Sequence, residues 1–288
     1  MYNTFMDTIE TILGSTVQHG PHNRRVYLMH LNMQRLDKLD VLLETLDGLA
    51  RTNSYSKIFA KIPAPAWSGF EAAGYVLEAV VPNFFRGRTD CYFIAKYFSA
   101  RRADDQPDEQ LGQILLDDSA CSPVRQAAAP EPAPPTVELC TAADASEMSE
   151  IYRRVFSSYP FPIKDPVYIA ETMAADTRYY CIRREGAIAA LASAELDRKG
   201  QNAELTDFAT LPEHRRCGLA AALLKHMEAD MLSLGLKTLY TIARAESYGM
   251  NLIFKRCGYV YAGFLANNTQ ISGDIQSMTV WYKHLPWQ

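Results

Sequence analysis

The stretch that decides the fold is Ala203-Glu204-Leu205-Thr206-Asp207-Phe208-Ala209-Thr210, then Leu211-Pro212-Glu213-His214, then Arg215-Arg216-Cys217-Gly218-Leu219-Ala220. The first eight residues have the composition of a strand, and Leu211 to His214 form a short turn. Arg-x-x-Gly-x-Ala then opens a helical pattern. Small residues at Gly218 and Ala220 let backbone approach a ligand closely. The free N–H groups of a first helical turn, with the positive end of the helix dipole, favour a pyrophosphate.

The flanking pattern turns this short motif into a fold prediction. Leu219, Leu223, Met227 and Met231 recur every four residues, which predicts a helix with one apolar face ending near Leu234-Gly235. Lys237 to Ile242 alternates as a strand, Ser247 to Arg256 reads as a second helix, and Gly258-Tyr259 opens the next strand. A dinucleotide-binding fold is the competing reading. It lacks support, since neither G-x-G-x-x-G nor the acidic residue after the second strand is present.

Working outward, Arg101 to Pro135 is a break in composition. It holds Asp104, Asp105, Asp108, Glu109, Asp117 and Asp118, then a run of alanine and proline from Ala127 to Pro135. Such a segment buries little apolar surface, apart from a short helix around Gln110 to Leu116. This predicts an N-terminal region over 1–100, a linker over 101–135 and a C-terminal domain over 136–288. In the last, Thr136 to Cys140 reads as a strand, Ala143 to Phe156 and Pro166 to Ala174 as helices, and Arg178 to Leu196 as a hairpin around Glu185-Gly186. Met278 to His284 is its last strand.

The N-terminal region repeats part of that order. Arg25 to Leu31 reads as a strand, Leu36 to Ala50 as a helix, Lys57 to Lys61 as a strand and Cys91 to Phe98 as a last strand. Phe70 to Val76 and Phe254 to Val260 both read Phe-x-x-x-Gly-Tyr-Val, so the region reads as a degenerate half of the same fold without the cradle.

Composition bounds the function. The 288 residues are 48% hydrophobic with net charge −4 and no basic block, which argues against nucleic acid as a partner. No apolar run approaches the roughly 18–20 residues that span a bilayer, and no basic n-region precedes an apolar stretch, so a cytoplasmic protein is expected. The cysteines Cys91, Cys121, Cys140, Cys181, Cys217 and Cys257 form no C-x-x-C, and the histidines do not pair at metal-ligand spacing. No metal is expected, and the thiols read as reduced.

The order strand, Arg-x-x-Gly-x-Ala, helix, strand, helix, Gly-aromatic resembles the acetyl-CoA site of the GCN5-related N-acetyltransferase (GNAT) superfamily. The resemblance implies a mixed α/β fold with a splayed central sheet and acetyl-CoA as co-substrate. It implies pantetheine contacts from the backbone of Phe208, Ala209 and Thr210, and pyrophosphate contacts from Arg215, Arg216, Cys217, Gly218, Leu219 and Ala220, with Asn251 and Phe254 beside the cofactor. Acetyl transfer to an amine also needs a base. Glu204, eleven positions before Arg215, matches the spacing of the strand glutamate that histone acetyltransferases of the superfamily use. Asp207 is the other candidate, as base or as a partner for the substrate ammonium. Strand alternation predicts that the two side chains point to opposite faces. Many relatives place a thiolate-protonating tyrosine four residues before the Gly-aromatic pair. Phe254 stands there, which leaves Tyr248, Tyr259 or water.

A narrower resemblance, to the beta-lysine N-acetyltransferase family, is carried by Tyr55 to Lys61, Phe84-Phe85-x-Gly87, Ala95 to Phe98, Ser158-Tyr159-Pro160-Phe161-Pro162, Ser247 to Asn251, and the run from Asn267 to Lys283. It spans about residues 20–99 and 137–285. It implies transfer of acetyl to the distal amine of beta-lysine in a ternary complex, giving N6-acetyl-beta-lysine, a compatible solute for osmoadaptation. A lysine 2,3-aminomutase would supply the substrate. Tyr159, Asn267, Asn268, Thr269 and Ser277 are the expected substrate contacts, with the Tyr159 to Pro162 loop over the acceptor. The alternatives are an acetyltransferase for another amine (a polyamine, lysine, an aminoglycoside or a protein N-terminus) and a non-catalytic acetyl-CoA-binding module. A monomer and a homodimer both fit the sequence.

Overall fold

The computed structural model describes residues 7–116 and 135–286. Their elements run β1 (Thr8–Ile12), β2 (Ser15–Gly20), β3 (Arg25–His30), α1 (Leu39–Thr52), β4 (Lys57–Pro63), α2 (Trp67–Ala72), β5 (Val76–Phe85), β6 (Thr89–Tyr97), α3 (Ala100–Ala103) and α4 (Glu109–Leu116). They continue with β7 (Glu138–Leu139), α5 (Ala145–Val155), α6 (Pro166–Ala174), β8 (Thr177–Arg184), β9 (Ala187–Asp197), β10 (Asn202–Thr210), α7 (Leu219–Ser233), β11 (Thr238–Arg244), α8 (Tyr248–Arg256), β12 (Val260–Ile271) and β13 (Asp274–His284).

The chain forms two compact units whose limits depart from the expected boundaries at 100 and 136. The first takes Ser158–Phe161 and Ala262–Val280 together with the N-terminal residues up to Pro107. The second takes Asp108–Ser157, Pro162–Tyr261 and the residues from Trp281. The physical reason is strand pairing. Gly263 of β12 pairs with Ala79 of β5, and a Cβ at Gly263 would stand 2.2 Å from the Glu78 carbonyl oxygen. Glu78 also accepts from the Ala266 amide at 2.9 Å. Of the expected linker, 117–134 lies outside the described residues. Its first part holds α3 and α4, and Leu111 is buried.

In the first unit the strands lie in the order β1-β2-β3-β4-β6-β5-β12-β13. β3 and β4 run parallel, and β4 pairs antiparallel with β6 over its whole length. The core packs α1 through Leu42, Leu43 and Leu46, and α2 through Phe70, onto Val26, Leu28, Ile58 and Ile94. The N-terminal reading missed β1, β2 and β5, whose residues lack clean alternation.

In the second unit the end of β13 is followed by β11-β10-β9-β8-β7. The β8–β9 turn has φ +53° at Glu185 and +84° at Gly186, the backbone of a tight hairpin. The spacing read in α7 is its buried stripe: Leu219, Leu223, Met227 and Met231 pack on Ala192, Ala194, Ala203 and Leu205. The series β1 to β6 has the strand order β1-β2-β3-β4-β6-β5, and the series β8 to β13 has β8-β9-β10-β11-β13-β12, so the topology occurs twice in the chain. Only the second series carries the Arg-x-x-Gly-x-Ala turn. Among the described residues no helix is long and apolar enough to cross a membrane.

Candidate active site

The turn between β10 and α7 leaves helix amides available. After a short 3-10 turn at Pro212–His214, Arg216 has φ +63° and Gly218, the N-cap of α7, has φ +73°. No side chain caps the helix, whose first turn begins at Leu219. Arg215, Arg216, Cys217 and Gly218 are exposed, and Arg215 reaches back to donate to the Thr210 carbonyl at 3.3 Å. A Cβ added at Gly218 would meet nothing within 4 Å, so the backbone conformation and not crowding calls for glycine there. Uncapped amides at the end of a 15-residue helix, beside two arginines, suit a pyrophosphate.

Next to this turn the sheet opens. β10 and β11 pair in parallel at Asn202, Ala203 and Glu204 with Thr238, Leu239 and Tyr240. No further register pair joins them among the described residues, although β10 runs on to Thr210 and β11 to Arg244. On its other side β10 stays paired with β9 as far as Thr210. The backbone edge of Phe208, Ala209 and Thr210 that faces away from β9 therefore lies in a cleft between diverging strands.

Glu204 sits at the apex of that cleft. The Tyr240 hydroxyl donates to Glu204 Oε2 at 2.8 Å. Asp207 is not on the opposite face, as simple alternation predicts. The β9–β10 register shifts between Thr206 and Ala209, and Asp207 takes φ +56°. This bulge inserts one residue and re-aims the carboxylate. Ser193 Oγ donates to Asp207 Oδ2 at 2.5 Å. Ser193 pairs with Thr206 and Glu195 pairs with Glu204 across the ladder, so Glu204, Asp207, Ser193 and Glu195 share one face.

Two tyrosines complete that face. Tyr179 pairs with Ser193 across β8–β9 and shares a 2.9 Å hydrogen bond with Thr172 of α6. Burial, then the charge of Asp207, pushes the Tyr179 phenol above its ordinary range. Burial, then Glu195 and Asp207, does the same to Tyr168 of α6. Both phenols thus stay neutral beside carboxylates, whose oxygens can accept from an ammonium. Sequence reading missed Ser193, Tyr240, Tyr168 and Tyr179. The one available signal was Ser193, a hydroxyl within the otherwise apolar run Ile188 to Ala194.

The remaining candidates are held by partners of their own. Asn251 is buried, and its amide donates to the carbonyls of Arg244 (2.9 Å), Ala245 (3.2 Å) and Ser247 (3.0 Å) while Oδ1 accepts from Trp281 at 2.9 Å. It fixes the β11–α8 turn. Phe254 is a core residue, edge-on to Phe208 at 5.7 Å and to Tyr259 at 5.3 Å. The Tyr248 hydroxyl donates to Asp108. Tyr159, Asn267, Asn268, Thr269 and Ser277 belong to the first unit. There Asn268 and Thr269 are buried against Arg25, which donates to Asn268 O at 2.6 Å and Thr269 Oγ1 at 3.0 Å. Asn267 Nδ2 donates to the Arg102 carbonyl at 3.2 Å, and Ser277 Oγ accepts from the Asn267 amide at 2.7 Å. Ser158 Oγ, next to Tyr159, accepts from the Gly273 amide at 2.8 Å.

The acetyltransferase (GNAT) family model matches residues 145–259. The chain is 35% identical over 278 residues to a beta-lysine N(6)-acetyltransferase of Methanococcus maripaludis, covering 96% of this chain and 99% of that one. It is 28% identical to a beta-lysine N(6)-acetyltransferase of Methanosarcina mazei, covering 88% of this chain and all (100%) of that one. It is 31% identical to the N-acetyltransferase YodP of Bacillus subtilis, covering 72% and 74% of the two chains.

Proposed function

The chain belongs to the beta-lysine N(6)-acetyltransferase family, within the GNAT acetyltransferases, and we propose that it moves acetyl from acetyl-CoA to the distal amine of beta-lysine. It is an N-acetyltransferase with acetyl-CoA as acetyl donor. The donor supplies an activated thioester. The residues present fit it: uncapped amides at Leu219 and Ala220, the left-handed turn at Gly218 and the arginines 215 and 216 suit its pyrophosphate. The open edge of β10 at Phe208 to Thr210 suits its pantetheine arm.

The chain's own chemistry follows from the face built around the bulge. An amine must lose a proton before it attacks, and Glu204 is the carboxylate at the point where the strands part. Tyr240 acts as a positioning residue, fixing that carboxylate from β11. Asp207, held by Ser193, takes an ammonium of the acceptor, with Tyr168 and Tyr179 beside it. Direct transfer in a ternary complex needs no nucleophile of the protein. The product loses one positive charge and becomes net neutral, which suits a compatible solute. The substrate then comes from an aminomutase acting on lysine.

The observation that carries this reading is the pairing of Glu204 and Asp207 on one face at the mouth of the β10–β11 cleft. The test is free-thiol release from acetyl-CoA with beta-lysine, alpha-lysine, ornithine and spermidine. Preference for beta-lysine, lost in Glu204→Gln, is expected. Preference for spermidine would assign a polyamine acceptor, and acetyl-CoA binding without turnover on any amine would leave a binding module.

A further inference from the structure

The first unit carries buried positive charge that its own carboxylates do not balance. Lys57 is fully buried and pairs with Glu78 at 3.0 Å. Arg25 and Arg102 are also buried, and among the described residues neither forms an ion pair. Arg102 donates to Ser56 Oγ at 3.1 Å, Asn23 O at 3.0 Å and Asn268 O at 3.4 Å, all neutral oxygens. Arg25 likewise donates only to Asn268 O and Thr269 Oγ1. The Nε of each has no partner among the described residues. Asp7 and Glu78 attract Arg25, and Glu78 attracts Arg102, so the three buried cations Arg25, Lys57 and Arg102 share two carboxylates, and an anion nearby would offset the charge left over. Burial, then the charges of Arg25 and Arg24, pushes the Arg102 pKa down to about 10, against the attraction of Tyr97 and Glu78.

Ser56 connects this cluster to open space. It lines a cavity of about 420 Å³ together with Arg24, Arg51, Ser54, Phe98 and Ser99. Arg24 presents its side chain there and holds the Ser56 amide through its own carbonyl at 3.0 Å. Arg51 lies 5.9 Å from the centre of the Phe98 ring. Its nearest carboxylate, Asp47 at 3.7 Å, is shared with Lys96 at 2.6 Å. Two guanidinium groups and the Ser54 and Ser99 hydroxyls offer more donors than the two oxygens of a carboxylate accept, while the Ser56 hydroxyl donates to the Arg24 carbonyl at 3.4 Å. The site is an open groove at the surface, with the Phe98 ring among its lining.

We propose that the cavity between Arg24, Arg51 and the α1–β4 turn binds the dianionic phosphate of a small phosphate ester, independently of the acetyl-transfer site. Arg24 and Arg51 contact the phosphate, and Arg102 supports it through Ser56.

The test is calorimetric titration of the full chain with AMP, inorganic phosphate and adenosine, with acetyl-CoA saturating so that the α7 turn is occupied. AMP is expected to bind one to one, to weaken at least about tenfold in Arg24→Gln and in Arg51→Gln, and to be competed by phosphate. Adenosine is expected not to bind. Inorganic phosphate as tight as AMP would support the site and assign it to the free anion. Equal AMP affinity in wild type and both variants, or no binding of AMP or phosphate up to about 10 mM, would overturn it. Both arginines are exposed, so unchanged thiol release and melting temperature report that the variants are folded. Ser56→Ala, expected to weaken AMP less than either arginine change, is the second variant.

Discussion

Tyr240 and Glu204 are the last residues paired between β10 and β11, and the phenol donates to the carboxylate at 2.8 Å. A hydrogen bond to the ionised form lowers a carboxyl pKa. Removing it in Tyr240→Phe is therefore expected to shift the acid limb of the kcat/KM profile to higher pH, with a modest loss of rate at the optimum. Glu204→Gln removes the proposed base and is expected to lower kcat by about 10²–10⁴-fold, the usual worth of general base catalysis. An acid limb that stays in place in Tyr240→Phe would detach the tyrosine from the base.

The bulge brings Asp207 onto the face of Glu204, and the proposed roles of the two carboxylates, ammonium partner and base, are separable by substitution. Asn tolerates the left-handed backbone that Asp207 occupies at φ +56°, whereas Ala does so at a cost of about 1–2 kcal/mol. Asp207→Asn is thus expected to keep the fold and to raise the acceptor KM by about tenfold or more, with a smaller effect on kcat. Ser193→Ala, which frees the carboxylate from its 2.5 Å bond, should move the same constant in the same direction by less. Steady-state kinetics at saturating acetyl-CoA decide it. An unchanged acceptor KM in Asp207→Asn would remove the ammonium-binding role.

How far the residues announced this site depends on how local each signal is. The α7 stripe and the glycine at its N-terminus are encoded within about four turns, and they were legible. The bulge was not. Thr206-Asp207-Phe208-Ala209 sets two polar residues beside two apolar ones, a break in alternation that a strand end also produces, and only the register against Leu191 and Ser193 reveals the extra residue. The buried contacts of Asn268 and Thr269 were not legible, because their partners, Arg25 and Arg102, lie more than 160 residues away in sequence. Those contacts draw Ala262–Val280 into the first unit, a division that no composition shift marks. The buried cluster around Lys57 was invisible for the same reason, since a lysine at the head of a strand ordinarily faces water.

Gly218 offers a test of the cradle that leaves its volume untouched. Its φ of +73° disfavours any side chain, yet a Cβ there meets nothing within 4 Å. Gly218→Ala is expected to cost about 1–2 kcal/mol. The loss should appear as a raised KM for acetyl-CoA and a melting temperature lower by a few degrees, with the acceptor KM little changed. If acetyl-CoA affinity is unaltered while the protein is destabilised, the turn supports the fold without holding the phosphates.

The Lys57–Glu78 pair makes stability depend on pH in a definite direction. Burial pushes the Lys57 pKa down to about 8, against the attraction of Glu78, which raises it. In the unfolded chain a lysine keeps its proton up to about 10.4. Between those values the unfolded state binds more protons than the folded one, so this group's contribution to stability rises with pH across the window and is lost as pH falls toward 8. Other buried groups titrate nearby. The cysteine Cys91, for one, is held protonated by burial and acts in the opposite sense. A difference measurement isolates the lysine. Lys57→Met with Glu78→Gln removes both charges and keeps an acceptor for the Ala266 amide, which now bonds Glu78 at 2.9 Å. Urea unfolding of wild type and double variant at pH 8.0 and 9.5 is expected to show wild type gaining on the variant by about 1–2 kcal/mol. A difference that stays flat, or that falls with pH, would mean that Lys57 keeps an ordinary affinity for its proton inside the fold.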